Sequence, residues 1–156
     1  MMKSVLKKIR NSRALTLTEI LITLLIASLV ASAVAAGVSS SLKVYKKSVA
    51  LSDAQTVLST ISQAVMDELR FASDVSLSDG TVSFTSKNYG GGSSFFVSGD
   101  GYIMINGKQL LPQNSYVGCK ANISVDYNGD IFDVEIIVFN EEIECDAQFS
   151  VRPLQS

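Results

Sequence analysis

Residues 20–42 read ILITLLIASLVASAVAAGVSSSL and contain no charged side chain. As a helix, these 23 residues are long enough to cross a hydrocarbon core of about 30 Å. From Lys43 onward the chain has the ordinary mixture of polar and apolar residues of a soluble domain. We therefore predict one membrane-spanning helix followed by one polar domain.

The charges on either side of the apolar segment predict its orientation. Five of the 13 Lys and Arg residues lie in the first 13 positions, and no acidic residue precedes Glu19. Only three lysines, at positions 43, 46 and 47, follow the far end closely. Because basic residues favour the cytoplasmic side, we expect the N-terminus in the cytoplasm and the polar domain outside.

Composition also excludes several functions. Without its first 14 residues the chain keeps eight basic residues against 15 acidic ones, a net charge of −7. Such a surface repels polyanions, so we expect no nucleic acid partner for the polar domain. The chain has no His, the commonest general base and metal ligand, and no CxxC pairing. We expect no enzyme activity, no catalytic residue, no metal and no cofactor.

A basic start followed by an apolar segment also fits a secretory signal peptide. Residues 31–36 read ASAVAA and offer small-x-small cleavage sites. Glu19 argues against this interpretation, because a carboxylate at the start of an apolar core is costly and usually serves a functional partner. The apolar run also continues beyond Ala36 instead of giving way to the polar domain.

The residues around Glu19 carry a more specific pattern, since residues 13–22 read RALTLTEILI. This pattern resembles the leader of type IV prepilins, in which a short basic leader ends in a small residue and Glu is fifth in the mature chain. The resemblance makes residues 1–14 the leader, Ala14 its last residue and Leu15 the new N-terminus. Two positions depart from the family: Ala14 replaces the preferred Gly, and Leu15 replaces the commonest Phe.

The resemblance implies a structural role in a filament. A prepilin peptidase would cut between Ala14 and Leu15, and the new amine of Leu15 would be methylated. Glu19 of an incoming subunit would approach the Leu15 amine of the subunit already in place, an attraction that is strong at low dielectric. It would also set the axial register, because another offset would leave both charges unpaired among apolar helices.

The function implied is that of a minor pilin or pseudopilin of a type IV pilus or of a related secretion or competence pseudopilus. The implied partners are other pilin or pseudopilin subunits, the prepilin peptidase, the inner-membrane assembly platform and, before assembly, the membrane. The implied location is a single-pass cell membrane and then an extracellular or periplasmic filament. The alternative is a monomeric extracellular binding domain, either membrane-tethered or secreted.

Helical periodicity continues past the apolar segment. Apolar residues recur at steps of three and four and form one stripe. The stripe consists of Ala54, Val57, Leu58, Ile61, Ala64, Val65, Leu69 and Ala72. No Pro interrupts the chain from Leu15 to Ser73, so we predict one continuous helix, with residues 15–42 in the membrane or filament core and 43–73 as an amphipathic half-helix. Glu68 lies near the stripe without an evident partner.

After Ser73 the period changes to two, which indicates strands. The predicted strands are Thr81–Thr85, Phe95–Ser98, Tyr102–Ile105, Asn122–Tyr127, Phe132–Phe139 and Glu144–Val151. Gly and Asn pairs between them favour tight turns. We predict a pilin-like α+β fold in which the helix packs on an antiparallel sheet within residues 74–156, the whole head comprising residues 43–156. The glycine-rich segment 88–94 is expected to be a flexible loop, either a connector or a contact surface.

Residues 126–130, DYNGD, resemble the start of a calcium loop. Ile131 stands where such a loop needs Gly, and Ile137 where it needs Glu, so a hairpin turn is the better interpretation.

Cys119 and Cys145 are a candidate disulfide, similar to the C-terminal bridge of many pilins. If the last three predicted strands form a meander, however, the outer two lie about 9.6 Å apart, too far for a bridge. Two buried free thiols are the alternative.

Overall fold

The computed structural model describes residues 17–78 and 80–154. It divides the chain into two compact units, with the boundary between Val44 and Tyr45. One helix, α1, runs from Leu17 to Arg70 and belongs to both units. The uninterrupted helix predicted from the sequence is confirmed over these residues, whereas Leu15 lies outside the described residues.

The second unit is an α+β head in which α1 packs against antiparallel sheets. The buried stripe of α1 consists of Ala54, Val57, Leu58, Ile61, Ser62, Val65, Glu68 and Leu69. The predicted stripe is therefore confirmed from Ala54 to Leu69 except at Ala64, which is half-buried. Ala72 is buried but lies beyond the end of α1, which the sequence placed at Ser73, and Ser62 and Glu68 are buried with the stripe. Large side chains from the strands complete the core, among them Phe84, Phe132 and Ile136.

The strands form three sheets of three strands each, where the sequence analysis predicted one. They are β1 (Ser73–Ser78), β2 (Thr81–Ser86), β3 (Gly90–Ser93), β4 (Phe95–Val97), β5 (Ile103–Ile105), β6 (Lys108–Gln109), β7 (Lys120–Tyr127), β8 (Phe132–Phe139) and β9 (Glu144–Val151). The sheet orders are β1-β2-β3, β4-β5-β6 and β7-β8-β9, and all pairs are antiparallel. A short 3-10 turn at Gln113–Tyr116 precedes β7.

The expectation of a flexible loop at 88–94 is wrong for Gly90–Ser93, because these residues form β3. The turn into β3 is closed by Ser86, whose Oγ accepts the N–H groups of Asn88 at 3.1 Å and Tyr89 at 3.0 Å. Ser93 Oγ in turn donates to the carbonyl of Gly90 at 2.8 Å. These side-chain hydrogen bonds therefore restrict a backbone whose glycines would otherwise allow many conformations.

The C-terminal end of α1 is hydrogen-bonded to the residues that follow the last strand. The N–H of Ala72 donates to the carbonyl of Leu69 at 3.2 Å, and the N–H of Leu154 donates to the carbonyl of Arg70 at 2.8 Å. These bonds satisfy carbonyls that a helix end leaves without an intrahelical partner. The chain therefore returns to the point at which α1 ends.

Candidate assembly site

The first part of α1 has an apolar and exposed helical surface. Every residue of α1 from Leu17 to Val49 is exposed, including Leu21, Ile26 and Val30. Among the described residues, α1 is the helix that is long and apolar enough to cross a membrane. This part of the protein can therefore serve as a membrane anchor.

Polar side chains on this surface bond to their own helix. The hydroxyl of Thr23 donates to the carbonyls of Glu19 at 2.9 Å and Ile20 at 2.8 Å. Ser28 and Ser32 make the same kind of bond to the carbonyl three residues earlier, each at 2.8 Å. In a hydrocarbon environment every polar group needs a partner inside the protein, so these local bonds let hydroxyls occupy an apolar surface.

Glu19 lies in the first turn of α1 and is exposed. A carboxylate is favourable there, because the unsatisfied N–H groups at a helix N-terminus carry partial positive charge. Glu19 is also the one acidic residue between Leu17 and Leu42. The predicted cleavage and methylation positions, Ala14 and Leu15, lie outside the described residues.

Glu68, for which the sequence indicated no partner, accepts hydrogen bonds from two residues, Ser86 at the end of β2 and Asn88 in the turn that follows. Its side chain is only 7% exposed. Ser86 Oγ donates to Glu68 Oε2 at 2.6 Å, and the amide of Asn88 donates to Oε1. Buried polar groups need such partners, because a buried carboxylate without them would be strongly destabilising. Glu68 therefore connects α1 to the turn between β2 and β3.

Two tyrosines of the head have raised pKa values. Burial raises the pKa of Tyr116, an effect partly offset by the N–H of Ile103, which donates to the phenol oxygen at 3.0 Å. Burial, with a smaller contribution from the charge of Glu68, raises the pKa of Tyr89. Both side chains therefore favour the neutral form in the folded state.

Cys119 and Cys145 are free thiols in this structure, one buried and the other half-buried. The three last strands form the meander that the sequence analysis considered, and β8 separates the two cysteine-bearing segments: Cys145 pairs with Val138, which pairs with Ala121. Burial raises the pKa of the Cys119 thiol, which disfavours the reactive thiolate. The disulfide stays a prediction. It can be checked by titrating the free thiols of protein isolated from an oxidising compartment.

The DYNGD segment is a hairpin turn, as predicted. It joins β7 to β8, and Asn128 Oδ1 accepts the N–H groups of Asp130 at 3.3 Å and Ile131 at 3.0 Å. Asp130 is engaged by Arg152 at 2.6 Å. A second turn of this kind, between β8 and β9, was not predicted: Asn140 Oδ1 accepts the N–H groups of Glu142 at 2.9 Å and Ile143 at 3.0 Å. An Asn followed three positions later by Ile is the signal shared by both turns.

No family model, curated protein or solved structure matches this chain. What the structure itself defines is an α+β protein whose long apolar N-terminal helix can serve as a membrane anchor.

Proposed function

We propose that this protein is a structural subunit of a type IV pilus-like filament, a minor pilin or pseudopilin. The observation that carries the proposal is the character of α1. Its first part is apolar and exposed on every side with one carboxylate at its first turn, whereas one face of its later part is buried under the head. A tethered domain needs only the apolar segment, whereas a filament subunit can also use a carboxylate at the start of that segment to fix its position against a neighbouring helix.

The apolar part of α1 suits two environments in succession. A helix that is apolar on all sides is stable in lipid, and it is equally stable when neighbouring apolar helices replace the lipid. Subunits can therefore be stored in the membrane and moved into a filament core without refolding of the helix. The head stays outside the membrane in both states, in the orientation that the basic N-terminal residues favour.

Glu19 provides the specificity that apolar packing lacks. Helices that are apolar all round can slide along one another at little cost, because one apolar contact resembles the next. A carboxylate that pairs with the Leu15 amine of a neighbouring subunit favours a single offset, since every other offset places two charges in an apolar core. This step requires removal of residues 1–14 by a prepilin peptidase, which frees that amine.

The first test is the N-terminus of the membrane form, determined by N-terminal sequencing and intact mass. We expect cleavage between Ala14 and Leu15, with the mass of one added methyl group. An N-terminus at or beyond Ala33 would indicate a secreted binding domain instead, and an uncut chain a membrane-tethered one. Either result would contradict the proposal.

The second test replaces Glu19→Val and measures incorporation into sheared filament fractions. We expect the variant to insert into the membrane with a folded head but to be incorporated at least about tenfold less well, because the charge pair is lost. Thr23→Val, one turn further along α1, is the matched control, since it removes a polar group but no charge. Normal incorporation of the Glu19 variant would remove this residue from the mechanism.

A further inference from the structure

The last strand of the head, β9, leaves one edge without a partner strand. It lies at the end of the order β7-β8-β9, and in the described part of the chain no strand pairs with its other edge. Each of its eight residues, Glu144 to Val151, is paired with β8 in an unbroken register. The open edge is therefore a regular row of backbone donors and acceptors.

Burial along β9 shows that the core beneath this edge is incompletely covered. The inward side chains of the middle strand β8 are fully buried, with Phe132, Ile136 and Val138 at 0% exposure. On β9, by contrast, three of the four inward side chains, Cys145, Ala147 and Phe149, are only half-buried, and only the last one, Val151, is buried. One more strand beside β9 would cover them, in the same way that β8 is covered by its two neighbours.

The usual protections against strand addition are few on β9. Natural sheets blunt an exposed edge with Pro, Lys or a β-bulge. Within β9 there is no Pro, no Lys and no break in register, and Pro153 comes only after the strand ends. What remains on the outward face is acidic charge, at Glu144 and Asp146.

These two carboxylates select the partner. Their cross-strand neighbours are Phe139 and Ile137, which cannot neutralise a charge, and neither carboxylate forms an ion pair with a described residue. A second copy of β9 carries no basic residue and would leave both carboxylates without a counter-charge, and in a parallel in-register pair it would place like charges directly opposite one another. A strand with basic residues on that face would instead be attracted.

We propose that the open edge of β9 binds an extended segment of a partner protein in which apolar residues alternate with Lys or Arg. The segment adds as a further antiparallel or parallel strand of about eight residues. Its apolar side chains cover the inward face near Ala147 and Phe149, and its basic side chains face Glu144 and Asp146. The proposal does not rest on the filament function, because a monomeric head carries the same edge.

The test uses the full chain in neutral detergent micelles, with empty micelles as the blank. The probe is a peptide of about eight residues in which Lys alternates with Val. A peptide of the same composition with its lysines grouped together, and one in which Glu alternates with Val, are the comparisons. Binding is followed by fluorescence anisotropy, and backbone pairing by hydrogen exchange of residues 144–151.

We expect the alternating basic peptide to slow exchange in β9 and to bind at least about tenfold more tightly than either comparison peptide. The double variant Glu144→Lys with Asp146→Lys should prefer the alternating acidic peptide. The matched control, Glu141→Lys with Glu142→Lys, makes the same change of charge in the β8–β9 turn and should keep the original preference.

Three results would overturn the proposal. Binding without protection of β9 amides would mean that the peptide attaches by charge alone. An equal effect of the two double variants would mean that the strand register is irrelevant. Protection of β9 that grows with protein concentration and needs no peptide would make a second copy the occupant.

Discussion

The two parts of α1 have the same backbone conformation but opposite surfaces. From Leu17 to Val49 all residues are exposed, and hydroxyls return to backbone carbonyls. From Ala54 to Leu69 a narrow stripe is buried and the remaining faces are polar. The difference shows that helix formation alone says nothing about environment, which is set by how far around the helix its apolar residues extend.

The largest expected effect is at the centre of the buried stripe. Ile61→Asp places a carboxylate without a partner at a position that is 0% exposed, and we expect it to destabilise the head by about 4 kcal/mol or more. Thermal unfolding of the full chain, followed by near-UV circular dichroism, measures the effect. Gln63→Asp, on the exposed side, is the control and should cost only about 0.5 kcal/mol, because it places a second carboxylate one turn from Asp67. Equal melting temperatures would contradict the packing of α1 on the sheets.

The same substitution in the other part of α1 should affect a different property. Ile26→Asp should leave the melting temperature of the head unchanged, because Ile26 lies in the first unit and its side chain is 54% exposed. It should instead reduce membrane insertion, at a cost of about 3 kcal/mol near the centre of a spanning helix. Carbonate extraction of membranes measures insertion, with Ile26→Leu as control. A loss of head stability in Ile26→Asp would remove the distinction between the two parts.

A smaller effect is expected where the stripe contains a charge. Glu68→Ala leaves the hydroxyl of Ser86 and the amide of Asn88 without their acceptor, so we expect a loss of about 1–3 kcal/mol. Hydrogen exchange at Asn88 and Tyr89 should also become faster. Asp67→Ala, at the exposed neighbouring position, should change stability much less. Equal losses in both variants would mean that the hydrogen bonds of Glu68 contribute nothing specific.

The smallest effect is a dependence on alkaline pH. Since burial raises the pKa of Tyr116, folding favours its neutral form, and this stability is lost as pH rises past the ordinary value of 10.0 towards the raised one. Tyr116→Phe should flatten part of that decline in melting temperature while costing about 1 kcal/mol at neutral pH, because the N–H of Ile103 loses its acceptor. The exposed Tyr45→Phe is the control. If the melting temperature of Tyr116→Phe declined with pH as that of the unchanged protein does, the Tyr116 phenol would be excluded as the cause.

Prediction from the sequence succeeded where one pattern dominates. The bounds of β8 and β9 were predicted as they are observed, because apolar and polar residues alternate throughout β9 and from Phe132 to Ile136 in β8, and turn-forming Asn residues precede and follow β8. The stripe of α1 followed equally from its period. Strands β1 and β3 were missed because Ser and Gly carry little alternation.

The rest depends on contacts between residues distant in sequence. Glu68 and Ser86 are 18 positions apart, and only the packing of α1 on the sheets brings them together. The division into three sheets likewise depends on tertiary structure, because no local sequence pattern shows which strands pair with one another. At the candidate assembly site, both Glu19 and the apolar helix were predicted from the sequence. The open edge of β9 is a separate feature that depends on the strand order.

The hydrogen bond between Arg70 and Leu154 makes residues 71–153 a loop whose two ends meet. A segment whose two ends lie close together can be replaced by another such segment with little disturbance of the rest of the protein. A foreign β module with neighbouring termini could therefore be grafted behind Arg70, provided that it covers the apolar stripe of α1. The strands after Arg70 are in this sense an exchangeable module, and α1 is a scaffold that can carry different modules.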